Sequence, residues 1–84
     1  MPEICRFLGV VIAVFYDDHN PPHFHAIYGE HQASIGMNGE LLEGILPRRA
    51  MSLVLEWLAL HRIELLDNWQ KAYHQEPITP IAPQ

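Results

Sequence analysis

The chain has 84 residues, 49% of them apolar and 18% charged. That length holds one domain over 1–84, excludes multi-domain and solenoid architectures, and carries enough apolar residues for a packed core. Ten acids against five bases give a net charge of −5, which argues against a non-specific grip on nucleic-acid backbone.

In chain order, strands are predicted at 4–8 and 10–16, joined tightly at Gly9. The lone cysteine, Cys5, cannot form an internal disulfide, suits a reducing compartment and reads as a small buried hydrophobe. The apolar run Phe7–Tyr16 is about half the length of a membrane-spanning helix. Glu3 precedes it and Asp17-Asp18-His19-Asn20 follows, which is not the pattern of a secretory leader. A buried strand in a cytoplasmic protein without membrane contact is the expectation.

Asp17 to Pro22 form a turn, because Asp and Asn side chains bond nearby backbone and proline excludes helix and central strand. The peptide isomers at Asn20-Pro21 and Pro21-Pro22 stay open. Further strands follow at 23–28, 31–37 and 40–45. Gly29-Glu30 suits a type II′ reversal and Asn38-Gly39 a type I′ reversal. From Pro47 to His74 the apolar spacing turns helical, with Ala50, Leu53, Val54, Trp57, Leu58, His61, Leu65, Trp69 and Ala72 on one stripe. One helix, or two at 47–61 and 62–74 meeting near His61, both satisfy that spacing. Residues 75–84 form an extended Pro-rich tail, with Ile78 and Ile81 able to dock on the body. The fold class is α+β, an antiparallel meander of four to five short strands packed on one face by the helical segment.

Register then assigns faces. A reversal at Gly29-Glu30 pairs Tyr28 with His31, Ala26 with Ala33 and Phe24 with Ile35, and these share the helix-facing side. A reversal at Asn38-Gly39 pairs Ile35 with Leu42 and Gly36 with Leu41. The outer face then carries His23, His25, Ile27, Gln32 and Ser34, with Leu41 and Ile45 beside them. Two imidazoles on one strand face, with His19, Asp17 or Asp18 from the loop, could form an N/O site for zinc or a similar ion. No recognised metal signature accompanies them, so no cofactor is the default and zinc the alternative. The apolar residues on this face suggest a surface covered by another chain. A chain this short is also marginally stable alone, so a homodimer is expected.

Arg48 and Arg49 follow Pro47 at a helix start, where the dipole favours acids. They are either solvated cations paired with acids such as Glu43, or holders of a carboxylate or phosphate. Trp57 and Trp69 read as core, His61 as a core histidine, and Asp67 with Lys71 as a helix-surface pair.

The string Phe15-Tyr16-Asp17-Asp18-His19-Asn20-Pro21-Pro22-His23-Phe24-His25-Ala26 resembles the signature of the bacterial Domain of Unknown Function 4160 family. Leu46-Pro47-Arg48-Arg49-Ala50 and the segment Glu56-Trp57 through Trp69 match it too. The resemblance implies a small protein, often encoded beside another short one in a toxin–antitoxin-like arrangement. It also implies that His19, His23, His25, Arg48 and Arg49 are the functional face, with no chemistry assigned to any. The leading expectation is an interaction protein in such a two-gene module, contacting a co-encoded small protein or an anion. A second is a metal-independent ribonuclease-type toxin, with His23 or His25 as general acid or base and Arg48 and Arg49 holding phosphate charge. That reading keeps nucleic acid open as a partner. A third is a His-based metal-binding module.

Overall fold

The computed structural model describes residues 3–16 and 21–83. Five strands, β1 (Glu3–Phe7), β2 (Val10–Ala13), β3 (His23–Tyr28), β4 (His31–Gly36) and β5 (Leu41–Ile45), precede one helix, α1 (Arg48–Tyr73). The strands pair in sequence order as an antiparallel meander, giving the expected α+β architecture.

Each reversal has its own backbone chemistry. Leu8 and Gly9 both have positive φ, 48° and 84°, as a type I′ turn requires, so Leu8 belongs to the turn and not to β1. At the next reversal Gly29 alone is positive, φ 59°, consistent with type II′. The β3–β4 register is the expected one: Tyr28 opposite His31, Ala26 opposite Ala33, Phe24 opposite Ile35.

The third reversal differs from expectation. Gly36 N–H donates to Glu40 O at 2.8 Å and Gly39 N–H to Gly36 O at 2.9 Å. The loop therefore has three residues, Met37, Asn38 and Gly39. Gly39 is left-handed, φ 91°, and Asn38 is not, which excludes type I′ and fits a type I turn closed by a left-handed glycine. The added residue is absorbed further on. Gln32 opposes Ile45 and Ser34 opposes Glu43, but Ile35 opposes Leu41 across a bulge. The expected pairs Ile35–Leu42 and Gly36–Leu41 do not form, and Leu41 moves to the side of Ile35, away from the histidine face.

β2 is shorter than the expected 10–16. After Ala13 the chain leaves the sheet, with Val14 fully buried on the core side. The helix starts at Arg48, one residue after the expected start, with Pro47 in the cap position and Met51 N–H bonded to Pro47 O at 2.9 Å. A kink at His61, φ −127° and ψ 21°, divides it at the junction the spacing allowed. Its buried residues match the stripe, with Leu53 only partly buried and Asn68 added. The core lies between this stripe and one sheet face. Trp57 stacks on Phe7 (ring centroids 5.7 Å) and meets Phe24 edge-on (6.3 Å). No helix among the described residues is long and apolar enough to cross a membrane.

The helix ends in a Schellman motif. Glu76 N–H donates to Lys71 O at 2.7 Å and Gln75 N–H to Ala72 O at 3.0 Å. Gln75 takes the left-handed position, φ 60°, that glycine usually fills. The chain then runs back along α1 as a strap, Pro77-Ile78-Thr79-Pro80-Ile81-Ala82-Pro83. Its prolines recur every third residue, matching the three residues per turn of polyproline II, and only Ile78 and Ile81 are buried or half-buried. Asn68, 1% exposed, grips Thr79 twice: its amide donates to Thr79 O and its carbonyl accepts from Thr79 N–H, each at 2.7 Å. Trp57 Nε1–H donates to Ala82 O at 3.1 Å, and Ile81 N–H to Ile4 O on the β1 edge at 2.8 Å.

Candidate functional site

Strand alternation turns His23 and His25 away from α1, because Phe24 between them packs on Trp57. On that outer face Arg6, Val11, Ile27, Gln32 and Ile45 form one row across the five strands, and Ala13, His25, Ser34 and Glu43 the next. The histidines are on the expected face, but they are buried: His23 is 7% and His25 9% exposed. The cover comes from the β2–β3 connection. Phe15 meets the His25 ring edge-on at 4.3 Å, and Pro21 lies against His23.

The two imidazoles form a local cluster. Their ring centroids are 5.2 Å apart with planes at 69°. His23 Nδ1 lies 2.7 Å from Pro21 O. A carbonyl only accepts, so Nδ1 carries a proton and donates to it. Ser34 Oγ stands 3.3 Å from His25 Nδ1. Gly36 is the cross-strand neighbour of His23, and the volume a Cβ would fill there is taken by the Glu40 side chain. Glu40 also accepts from Asn38 N–H at 3.3 Å. It lines a cleft of about 420 Å³ with Pro21, Pro22, Met37, Leu42, Arg62 and Leu66, in which Arg62 Nε–H donates to Met37 O at 2.8 Å.

The other expected site residues fall elsewhere. Arg48 and Arg49 are exposed on the first turn of α1, and among the described residues neither makes an ion pair, with Glu43 or any other acid. β5 runs toward the end of the sheet that carries the 8–9 and 29–30 reversals, so α1 begins at that end and on the opposite layer. His23 starts β3 at the other end, and even His25 is three residues, about 10 Å, short of Tyr28 at the reversal. The structure thus brings His23 and His25 together and does not bring them to Arg48 and Arg49. His19, Asp17 and Asp18 lie outside the described residues. Among the described residues no cluster of three or more His, Cys, Asp or Glu could hold a metal ion. The two imidazoles alone are half of a tetrahedral zinc set.

Sequence reasoning missed Glu40, Arg62 and Asn68. Asn68 carried a readable signal, a polar residue three positions after Leu65 on a buried stripe. His61 is a core residue as expected. Its Nδ1 is 2.8 Å from Glu64 Oε1, and its Nε2 has no hydrogen-bond partner among the described residues. Trp57 and Trp69 are in the core, and Lys71 pairs with Asp67 at 3.1 Å, both as expected.

The family described as "Domain of unknown function (DUF4160)" matches residues 9–70, well over half the chain. Among the curated proteins and the solved structures there is no significant match.

Proposed function

The chain belongs to the DUF4160 family, and from its fold we propose that it is an interaction protein whose contact surface is the β5 edge, continued by Arg48 and Arg49. One observation carries this reading: among the described residues β5 pairs only with β4, and all five of its residues are exposed, Leu41 by 49% and Ile45 by 68%. An edge strand presents unpaired N–H and C=O groups, and soluble proteins usually blunt it with charge or cover it. This one carries large apolar side chains, which suits a partner that adds a strand and buries them. Beyond its end, Arg48 and Arg49 flank a helix start with no side-chain cap and no acid in the first turn. Carboxylates on the partner would meet both the guanidinium groups and the helix dipole there.

His23 and His25 lie on β3, two strands from this edge, where they pack against Phe15 and Pro21 on the outer face. The ribonuclease reading needs imidazole and guanidinium within about one phosphate of each other, and the described geometry gives it no support. The two-gene arrangement that the family resemblance implies supplies the partner to test first, a short co-encoded protein.

Co-expression with that protein, followed by size exclusion with light scattering, is expected to give a stable complex. Ile45→Lys should weaken it at least tenfold with an unchanged circular dichroism spectrum. Arg48→Glu with Arg49→Glu should weaken it further and flatten its salt dependence. Unchanged affinity in Ile45→Lys overturns the proposal.

A further inference from the structure

The strap offers a second contact, independent of the β5 edge. Every hydrogen bond that Asn68, Trp57 and Ile4 make with it goes to main-chain groups of Thr79, Ile81 and Ala82. Such a groove reads an extended segment by its backbone and selects it by apolar anchors three residues apart, Ile78 and Ile81. A second copy of the chain supplies the identical segment. What keeps the strap on its own helix is a reversal of three residues, His74, Gln75 and Glu76, with Gln75 held left-handed at φ 60°. That conformation is strained for any residue with a Cβ, and a short strained hinge favours exchange of the element beyond it. Straightening the hinge relieves Gln75 and carries 77–83 away from its own Asn68.

We propose that the groove formed by Asn68, Trp57 and the β1 edge is a receptor for the 77–83 strap of a second copy, so that two chains exchange their straps reciprocally. The same groove contacts close both forms, and the hinge alone decides between them.

The test uses the full chain and light scattering across a range of concentrations. Gln75→Pro cannot adopt positive φ and lacks the N–H that bonds Ala72 O, so it should form a dimer of twice the monomer mass. Deletion of Gln75, which makes the hinge too short to reverse, should give the same dimer if the proline variant does not fold. Gln75→Gly relaxes the closed hinge and should lower the dimer fraction of the wild-type chain several-fold. Thr79→Pro removes the N–H that Asn68 accepts, and should return the Gln75→Pro chain to monomer. Ile45→Lys should leave that dimer intact, because the β5 edge takes no part in it. A monomeric Gln75→Pro chain and deletion chain, a dimer that survives Thr79→Pro, or a dimer lost with Ile45→Lys each overturns the exchange.

Discussion

Leu8 is a leucine in the left-handed region, beside a glycine in the same region. A type I′ turn favours Asn or Gly at its first central position, and an L-residue with a large side chain costs about 1–2 kcal/mol there. Leu8→Asn should therefore stabilise the monomer by about 1 kcal/mol, read as a rise in Tm of about 4–8 °C. Unchanged or lower Tm would show that Leu8 makes contacts outweighing its strain. At Cys5 burial pushes the thiol pKa up from its ordinary 9.0. The folded chain then holds the thiol proton more tightly than the unfolded chain, so stability falls as pH rises past that value. Cys5 in the native protein should react with iodoacetamide far more slowly than in urea. Glu3 and Arg6 form a two-point pair, Arg6 Nη2 to Glu3 Oε1 at 2.8 Å and Nε to Oε2 at 3.0 Å. The hydrogen bonds from Arg6 hold the Glu3 carboxyl below its ordinary value. Whatever that pair contributes is present above the ordinary carboxylate range and lost as pH falls through the lowered value. Arg6→Ala should move the Glu3 titration upward in an NMR pH series.

At the scale of elements, the sequence is readable where one local rule decides the geometry. Gly29-Glu30 has one low-strain two-residue solution, so the β3–β4 register and the face of His25 follow from it. Asn38-Gly39 has two, because a left-handed glycine also closes a three-residue loop. Local chemistry could not choose between them. The choice placed Leu41 on the wrong side, although Ile45, opposite Gln32 past the bulge, does lie on the expected outer face. The burial of His23 and His25 was not legible either, since it depends on where the β2–β3 connection lies, a tertiary outcome. The strap clamp is the sharpest element-scale test. Asn68→Asp keeps an acceptor for Thr79 N–H but sets a carboxylate against Thr79 O, where Asn68 donates at 2.7 Å. The variant should be destabilised at neutral pH by about 2–4 kcal/mol. It should regain stability as pH falls and the carboxyl becomes a donor. Stability independent of pH in this variant would mean that the strap is not held through Asn68.

For the molecule as a whole, layering explains how the described elements share one core. Trp57 ties three parts together: it stacks on Phe7, meets Phe24 and donates to the strap at Ala82. Trp57→Phe keeps most of the buried area but drops the indole donor, and should cost about 1–2 kcal/mol in urea unfolding while loosening the strap to proteolysis. The helix covers one sheet face, and among the described residues Phe15 and Pro21 cover the other over the histidines. Fold class, strand order and the buried helical stripe were all present in the residue pattern. The separation of the histidines from the arginines was not, because it needs the layer and the strand direction together.

The two rims of the sheet are unequal, and this limits how copies can aggregate. The β1 rim is occupied by the strap through Ile81 and Ile4, whereas no strand among the described residues pairs with the β5 rim. While the strap stays on its own helix, a chain with one open rim can add a single neighbour by strand pairing and then stop. Deleting residues 77–83 would uncover the second rim and turn a self-limiting pair into an open-ended polymer.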